Sequence, residues 1–405
     1  MAKYRKQRSQ ASASRVVSSS LRELILHHLE EWIPKLVDEE IDEYLGRGRY
    51  EPLAEGQARQ YRNGYHKERS LTTGSGTVRL RLRRLRQPFQ SQIVQRYQRT
   101  TDDVHALLPE LYMHGLATGD FRDALGLLLG DQAPLSPASI VRAKAEWEES
   151  YKQWRQRKLE AEYLYVWADG VYPKAGPVDE HMAVLTLVGL NRKGRKEVLA
   201  VAEGYRESFQ SWRDLLHELK RRGLEWIGLL ISDGVPALAK ALREVYPLAK
   251  RQRCLVHKMA NILDKVPDKA HDEVLQALRE IYHARNREEA RARCRAFRGR
   301  YGRLYPQAVR SLQEAGEQLF SYFDFPRQHW KSIKSTNVIE SLFNAVKLRT
   351  DAARRIPSRT SALYLVYKLL HRQEHRLHKI AAYKLVPATI DQLRQRQRTR
   401  ERKAA

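Results

Sequence analysis

Residues 226–257 have the sequence WIGLLISDGVPALAKALREVYPLAKRQRCLVH, in which an apolar run leads to an acid and then to a helical pattern. The run from Ile227 to Ile231 is typical of a buried strand, and Asp233-Gly234 ends it. The apolar residues that follow recur at helical spacing: Leu238, Ala241, Leu242 and Val245. An acid at the end of a strand in an open α/β sheet lies where such sheets place their chemistry, so Asp233 is a candidate site residue.

The charge of the chain points to a polyanionic partner. Lys and Arg number 74 and Asp and Glu 48 among 405 residues, which gives a formal net charge of +26. Such an excess is larger than solubility needs and is typical of proteins that bind nucleic acid. A basic protein of a membrane surface is the competing interpretation, but the sequence has no apolar run of about 18 residues.

The length and the cysteine content bound the class of protein further. A chain of 405 residues that is 42% hydrophobic is long enough for two or three domains with at least one full core. Its two cysteines indicate a reducing compartment without a disulfide framework. Residues 1–20 contain no apolar segment of the signal-peptide type. We therefore expect a cytoplasmic protein that is associated with the nucleoid through DNA binding and has no membrane partner.

The N-terminal part, residues 21–150, is predicted to be mainly helical and to serve DNA binding and oligomerisation. Before it, residues 1–20 form a basic, Ser-rich segment, which predicts a disordered arm that contacts phosphates or is simply solvated. Residues 21–45 follow a helical pattern that stops at Gly46. The polar face of this helix is acidic, so we expect it to pack on protein and not on DNA.

Two patterns in this part are candidates for contacts with DNA. From Thr77 to Leu85 apolar residues alternate with basic ones, which predicts a half-buried strand laid along a phosphate backbone or an edge strand guarded by charge. Residues 118–147 predict two helices in helix-turn-helix order, although bihelical patterns are also common without DNA. The candidate DNA-binding residues of the two patterns are Arg79, Arg81, Arg83, Arg84, Arg142 and Lys144.

The region 163–256 predicts a mixed sheet. Tyr163 to Ala168 is a buried strand that ends at Asp169-Gly170, and Met182 to Leu190 and Glu197 to Glu203 form a hairpin. A helix, the strand and helix of residues 226–245, and a fifth strand at Arg251 to Val256 follow. Five strands in this order with flanking helices predict an α/β core of the ribonuclease-H-like fold, built from residues 151–264 and 331–370.

After this sheet the pattern is helical. Residues 265–330 are strongly basic and predict an all-helical insertion, and residues 371–405 predict a basic C-terminal tail. Between them a helix opens at Thr336-Asn337. Glu340 lies one residue off the apolar side of this helix and shares a face with Asn344 and Lys347, and Arg349 is a further candidate for DNA contact.

Three acids are candidates for one catalytic site. Asp169 and Asp233 follow the first and the fourth strand, which are neighbours in the predicted sheet, and Glu340 lies on a helix that can cross them. Three converging carboxylates suit two Mg²⁺ ions, or Mn²⁺ in their place, and such a pair serves phosphoryl displacement. Each acid also has a plain structural interpretation, since Asp-Gly is a common turn and Glu340 is at a surface position.

Cys254 and His257 form a C-x-x-H motif at the end of the opening stretch. Zinc binding is one interpretation, but Cys294 is the only other cysteine and a structural zinc site normally has four ligands. We favour a histidine that orients a scissile phosphate or water, with a packed cysteine beside it. A satisfied core histidine is the alternative.

Four motifs in this order closely resemble the bacterial transposases of the Mutator-like superfamily. They are Asp169-Gly170 with Lys174, Ser232-Asp233-Gly234, the run from Tyr246-Pro247 through Gln252-Arg253-Cys254-Leu255-Val256-His257-Lys258-Met259 to Asn261, and Thr336-Asn337-Val338-Ile339-Glu340 with Asn344. The resemblance covers about residues 60 to 370 and includes Tyr61-Arg62-Asn63-Gly64. It implies a DDE triad of Asp169, Asp233 and Glu340, and it matches the C-x-x-H and threonine-asparagine motifs of the family to Cys254, His257, Thr336 and Asn337.

This resemblance and the charge lead to three hypotheses. The first is a DNA transposase that binds the terminal inverted repeats of its element, cuts and joins strands with a divalent metal, and works as a homodimer or larger assembly on double-stranded DNA. The second is a non-catalytic DNA-binding regulator, which has no need of the three acids. The third is a nuclease of the same fold, which cuts strands but does not join them.

Overall fold

A computed structural model describes residues 2–52, 60–114, 116, 120–130, 133–134, 138–176, 182–205, 207–352, 356 and 358–404. Side chains are described from residue 21 onward, except at 121–122, 127, 138–141, 143, 352, 400 and 403–404. The chain divides into two compact units, Met1–Ala143 and Lys144–Ala405, which coincides roughly with the predicted start of the catalytic part. The finer division into domains stays a prediction.

The first unit combines a long helix with two small sheets. Helix α1 spans Ala2–Leu45, and Gly46 follows it at a φ of 63°. Strands β1 (Arg62–Tyr65) and β4 (Arg83–Leu85) form one antiparallel pair, and β2 (Arg69–Thr73) and β3 (Gly76–Leu80) form the other. Helices α2 (Asp102–Met113) and α3 (Phe121–Leu129) come next, and α4 (Ala138–Gln156) leads into the second unit.

The predicted helix over residues 21–45 is confirmed, and its acidic face does pack on protein. Arg83 donates to both carboxylate oxygens of Asp38, at 2.7 and 3.1 Å, and Arg62 bonds Asp42. On the adjacent face Val37 and Ile41 belong to the core that the two small sheets complete. Residues 2–20, which were predicted to be a disordered arm, belong to helix α1 in the structure, and their side chains lie outside the described part.

The single strand predicted from Thr77 to Leu85 is wrong, because β3 and β4 belong to different pairs. The alternation itself is real: Val78, Leu80 and Leu82 are buried, while Arg79 and Arg81 are exposed. A chain that stays extended keeps its alternation whether or not its backbone remains paired with the same neighbour. Pairing partners, which the pattern does not contain, set the limits of the strands.

The second unit is built on a five-stranded mixed sheet, as predicted. Its strands are β5 (Glu162–Val171), β6 (Met182–Leu190), β7 (Lys196–Tyr205), β8 (Trp226–Ser232) and β9 (Lys250–Arg253), in the order β7-β6-β5-β8-β9. The pairs β7-β6 and β6-β5 are antiparallel, and β5-β8 and β8-β9 are parallel. Strand β9 is shorter than the predicted Arg251 to Val256, because Cys254 already caps the next helix.

Helices cover this sheet and continue the chain beyond it. Helices α5 (Phe209–Arg221) and α6 (Pro236–Val245) share a core with Val166 and Ala168 of β5. The region predicted as a helical insertion holds helices and short 3-10 turns after α7 (Leu255–Leu263): α8 (His271–Tyr282), α9 (Arg287–Tyr301) and α10 (Pro306–Ala315). Helices α11 (Trp330–Ile333), α12 (Asn337–Ala352) and α13 (Arg359–Glu374) come next.

The segment predicted as a basic tail ends in helix α14 (Val386–Ala404), which packs against the sheet. Val386 and Ile390 are fully buried, and the indole N–H of Trp226 in β8 donates to Gln397 at 2.7 Å. This end of the chain therefore belongs to the second unit. Over the part of the chain that the structure describes, no helix is both long and apolar enough to cross a membrane.

Candidate active site

Asp169 and Asp233 lie at the same level of two neighbouring parallel strands. In the register of β5 and β8, Trp167 pairs with Ile231, so two further residues on each strand bring Asp169 opposite Asp233. Asp169 lies within β5 and pairs with Thr186 of β6, whereas the sequence predicted it at the end of the strand. Adjacent strands are about 4.8 Å apart, so the two carboxylates share one local environment.

The face of the sheet that carries Asp169 is set by the alternation along β5. Val166 and Ala168 point into the core with α5 and α6, so Tyr165, Trp167 and Asp169 point to the opposite face. On that face Trp167 donates to the carbonyl of Ser332, and Tyr165 bonds His329 at 2.7 Å. Helix α12 also packs against β5, and Glu340 on this helix lies 3.7 Å from His257, whose charge acts on Asp169.

Burial raises the pKa of Asp169 to about 7, and the N–H of Gly170, which bonds its carboxylate at 2.8 Å, opposes this shift. The negative charges of Asp233 and Glu207 raise the pKa further, and the charge of His257 lowers it. Asp169 thus stands among acids whose charge the nearby protein groups do not balance. Such a buried, perturbed carboxyl is typical of a functional site.

Glu207 is a fourth acid of this group, which the sequence did not indicate. It follows β7 directly before Ser208, the N-cap of α5, and it accepts a hydrogen bond from the Tyr172 hydroxyl at 2.5 Å. Burial raises its pKa, and the charge of Asp233 adds to this effect. No motif surrounds Glu207 in the sequence, so only the return of the chain beside β5 reveals it.

Two glycines make room for the close packing around the aspartates. A Cβ on Gly170 would lie 2.4 Å from Glu207 Oε1, so a side chain there would push the glutamate away. Gly234 has a φ of +99°, which favours glycine, and its added Cβ would lie 2.3 Å from Nε of Arg253. Both Asp-Gly pairs of the sequence therefore serve close packing, while Gly234 also has the positive φ that favours glycine and Gly170 stays within β5.

The hydroxyl of Thr336 is the centre of a second cluster. It lies 2.5 Å from Oε1 of Glu340, 3.2 Å from Sγ of Cys254 and 3.4 Å from Nδ1 of His257. Nε2 of His257 is 3.7 Å from Oε1 of Glu340. Thr336, Cys254, His257 and Glu340 thus come from two separated motifs, and the fold joins them through one hydroxyl group.

The C-x-x-H motif is fixed to the aspartates through the backbone. The N–H of Cys254 donates to the carbonyl of Ser232 at 2.7 Å, directly beside Asp233, and the N–H of Leu255 donates to Lys334 at 2.9 Å. These two bonds hold the start of α7 between the end of β8 and the approach to α12. They position His257 between Glu340 and the two aspartates.

The cysteine and the histidine shift each other's pKa. A hydrogen bond with Cys254 raises the pKa of His257 to about 9, although burial opposes it, and the charges of Cys254, Glu340 and Asp169 add to the shift. Burial would raise the pKa of Cys254, but hydrogen bonds with His257 and Thr336 bring it below its ordinary value. His257 is therefore a cation at neutral pH.

Two sets of residues at the site offer ligand atoms for a metal ion, but among the described residues the structure brings only one of the two together. Asp169, Asp233 and Glu207 offer oxygen atoms, which suit Mg²⁺ or Mn²⁺. Cys254, His257 and Glu340 offer ligand atoms that all lie within 4.8 Å of one another, a set that suits a softer ion. The Thr336 hydroxyl, however, already contacts all three members of the second set. The acids whose chemistry suits Mg²⁺, Asp169, Asp233 and Glu207, are not gathered at ligand distance in the structure, and neither is the predicted triad of Asp169, Asp233 and Glu340.

The predicted DNA-binding residues differ widely in their accessibility. Among the described residues, five of them have exposed side chains: Arg79, Arg81, Arg84, Arg142 and Lys347. The structure does not support the prediction for Arg83, which is committed to Asp38, or for Arg349, which is only 2% exposed. Lys144 is half-buried, while Asn337 and Asn344 are exposed beside Glu340 on α12.

Comparisons with known proteins place the chain among transposases. The family model described as "Transposase, Mutator family" matches residues 1–379. The transposase for insertion sequence element IS6120 of Mycolicibacterium smegmatis is 40% identical over 281 residues, which are 69% of this chain and 87% of that protein. The transposase for ISRM5 of Rhizobium meliloti is 36% identical over 353 residues, 86% of each chain. The resemblance seen in the motifs is thereby confirmed.

Proposed function

The chain belongs to the Mutator family of transposases, and we propose that it is a DDE transposase with a ribonuclease-H-like catalytic unit. It binds the terminal inverted repeats of its own insertion sequence, hydrolyses a phosphodiester bond to free a 3′-hydroxyl, and uses that hydroxyl to attack a second strand. The observation that carries the proposal is the in-register pair Asp169 and Asp233, in which burial and the charges of Asp233 and Glu207 raise the pKa of Asp169 to about 7.

The donor atoms are carboxylate oxygens, which suit a divalent metal, and binding of the metal would draw Glu340 from its place beside His257 towards the two aspartates. Asp169, Asp233 and Glu340 would hold two Mg²⁺ ions, for which Mn²⁺ would substitute, and Glu207 adds negative charge beside them. Ions bound there would activate the attacking hydroxyl and stabilise the attacking and leaving oxygens of the displacement. The raised pKa of Asp169 supports this fit, since a nearby cation would relieve the cost of burying its charge.

The residues around the acids have positioning roles in this proposal. His257 stays protonated because its pKa is about 9, so its charge can orient the scissile phosphate. Thr336 donates to Glu340 and thereby fixes the side chain that faces the substrate. Glu340, Asn344 and Lys347 lie at spacings of four and three residues on α12, so one face of the helix presents an acid, an amide and a cation to DNA.

DNA recognition belongs to the first unit in this proposal. Arg79, Arg81 and Arg84 are exposed, and contacts of this kind with phosphates give binding that falls steeply with salt. The α3 and α4 pair is the candidate helix-turn-helix. Strand transfer needs two DNA ends held together, so we expect a homodimer or a larger synaptic assembly, located at the nucleoid.

One experiment separates the three hypotheses. The protein is incubated with labelled DNA that carries the terminal inverted repeats of its element, with target DNA, and with Mg²⁺ or Mn²⁺. Wild type should give cut ends and joined product, and Asp233→Asn should lower both by about 10³-fold, since metal stabilisation is worth several kcal/mol and about 1.4 kcal/mol is a factor of ten. Asp268→Asn, at a fully exposed acid of the helical insertion, is the matched control.

Each other outcome points to a different protein. Binding of the repeats without metal-dependent cutting would identify a regulator, and cutting without joined product would identify a nuclease. Full activity of Asp233→Asn would show that the acids are assigned wrongly.

A further inference from the structure

Helix α1 has two apolar faces, and the described residues cover only one of them. Val37 and Ile41, which are 2% and 0% exposed, pack into the core of the first unit. A second set of large apolar side chains faces solvent: Leu21 (60% exposed), Leu24 (51%), Ile25 (41%), Trp32 (60%) and Leu36 (46%). We call this second set the outer stripe.

The outer stripe is continuous along the helix. With 3.6 residues per turn, its five members fall within an arc of roughly 120° over four turns, and exposed His28 lies in the middle of it. The ring of His28 stacks on that of Trp32 at 5.8 Å, which keeps the indole on this face. Single exposed apolar residues are ordinary, but a contiguous apolar row along a helix is typical of an interaction surface.

The spacing of the stripe is symmetric about its own centre. Leu21 and Leu36 are equally far from the point between His28 and Leu29, and so are Ile25 and Trp32. In an interface with a two-fold axis, residue i of one copy contacts residue j of the other, and j contacts i. Two copies of the stripe that run antiparallel therefore place Leu21 against Leu36 and Ile25 against Trp32 at both ends.

The charges along the helix favour the same arrangement. Residues 1–20 contain five Lys and Arg and no acid, whereas residues 21–45 contain eight acids and two Lys and Arg. The acids Glu23, Glu39 and Glu43 are exposed around or beyond the stripe. In an antiparallel pair about this centre, residues 12–20 of one copy, which contain Arg15 and no acid, run beside residues 37–45 of the other, which contain five acids. A parallel pair would bring like charges together instead.

We propose that the outer stripe is the interface through which two copies of this chain pair antiparallel. The occupant is a second copy because both the spacing and the charges of the helix complement themselves. The proposal deepens the proposed function, since it assigns the contact that would hold two catalytic units together, and it rests on that function only for its purpose.

The mass of the protein in solution, without DNA, tests the interface. Wild type should elute in light-scattering chromatography at twice the 47.3 kDa of one chain. The double variant Ile25→Glu/Trp32→Glu should raise the dimer dissociation constant by at least about 30-fold, because a central tryptophan is typically a hot spot. Both side chains are exposed, so the variant keeps the covered face of α1, and circular dichroism checks that it folds.

Leu304→Glu is the matched control, because Leu304 is 67% exposed but lies in the second unit, away from the stripe. It should remain as dimeric as wild type. A wild type that is monomeric at tens of micromolar would overturn the proposal, and so would a double variant that is as dimeric as the control. A monomeric wild type would also be the result if another partner or DNA covers the stripe.

Cross-linking tests the direction of the pair. In a Cys294→Ser background, a mixture of Leu21→Cys and Leu36→Cys chains should form a disulfide between copies, while each variant alone should not. The remaining native thiol, Cys254, is fully buried and does not compete. Cross-linking of each variant with itself and not in the mixture would overturn the antiparallel arrangement.

Failure of this proposal and failure of the proposed function are distinguishable. If both hold, the double variant still cuts a single DNA end in the presence of metal but forms less joined product. If wild type is dimeric and never cuts DNA, the result supports the proposed interface and contradicts the catalytic assignment. If wild type cuts DNA but is monomeric with and without its DNA ends, only the proposed interface is contradicted.

Discussion

Two charged regions of this molecule differ in whether their acids are paired with bases. Along α1, acids meet bases: Asp38 binds Arg83, and Asp42 binds Arg62. At the end of β5 and β8, Asp169 lies in the field of Asp233 and Glu207, and the cation that acts on it is His257. A chain with a net charge of +26 has many cations available, yet this group of acids gains little from them. The first region stabilises the fold, and the second is the group of acids that our proposal assigns to a bound metal.

Among substitutions that keep Asp169 and Asp233, Thr336→Val should lower the rate of metal-dependent strand cleavage the most. This change removes the hydroxyl that contacts Glu340, Cys254 and His257, and loss of such a supporting group typically costs about 10- to 100-fold in activity or metal affinity. The measurement is the rate of metal-dependent strand cleavage across a range of Mg²⁺ concentrations. Thr336→Ser should restore most of the rate, because it restores the hydroxyl.

Thr350→Val is the control for Thr336→Val, since Thr350 is also buried on α12 but bonds only the carbonyl of Lys347. It should leave the cleavage rate near that of wild type. Equal rates for Thr336→Val and wild type would show that Glu340 is held without the hydroxyl.

The next effect is on the free energy of unfolding, which substitutions in the two regions should change in opposite directions. Asp38→Asn leaves Arg83, whose side chain is 10% exposed, without its carboxylate, and should destabilise the protein by about 1–3 kcal/mol. Asp169→Asn removes unbalanced buried charge and should stabilise the metal-free protein, by roughly 2–4 °C for each kcal/mol of repulsion removed. Thermal melts in a chelator measure both changes.

The stabilisation by Asp169→Asn should depend on pH with a defined sign. The pKa of Asp169 rises from 3.8 to about 7 on folding, so at low pH the carboxyl is protonated in both states. As pH rises from about 4 to about 7, the unfolded chain ionises first, and the folded protein loses stability relative to it. The variant lacks this loss, so its advantage over wild type should be small near pH 4 and greatest above pH 7. If the stability gained by Asp169→Asn shrank as the pH rises, Asp169 would not carry unbalanced charge in the folded protein.

The smallest effect should come from Glu207→Gln. Glu207 adds negative charge beside Asp169 and Asp233, and Gly170 leaves the room that its carboxylate occupies. Its neutral replacement should raise the Mg²⁺ concentration needed for half-maximal cleavage by up to about tenfold, with little change at saturating metal. Glu203→Gln, at an exposed acid four residues earlier, should leave that concentration unchanged. Loss of activity that excess metal does not restore would give Glu207 a larger role than supporting the charge.

Some elements follow from local pattern because their determinants are local. The helix that was predicted to open at Thr336-Asn337 is α12, and the residues of its apolar side, Ile339, Leu342, Phe343 and Val346, are all buried. Helix α5 begins where the hydroxyl of Ser208 accepts from the N–H of Ser211. Helical spacing and capping chemistry act within a few residues, so the sequence displays them directly.

Other features of the predicted residues are set by distant parts of the chain. Arg349 is basic and close to Glu340 in sequence, but the packing of α12 buries it. Arg83 was predicted to contact DNA, and Asp38, 45 residues away, binds it instead. Glu207 carried no signal at all, because its neighbours at the site come from other strands.

By itself the sequence determined the five-stranded order, the separate motifs that carry the three acids, and the family that they resemble. These depend on periodicity, on turn residues and on residue identity, all of which are local. Only the tertiary structure decided that Asp169 lies opposite Asp233 in the register of β5 and β8. It alone also decided that the Thr336 hydroxyl contacts Cys254, His257 and Glu340, and that the outer stripe of α1 is exposed. Each of these depends on contacts between residues that are far apart in the sequence, or on which surfaces such contacts leave exposed. Both are properties of the whole folded chain.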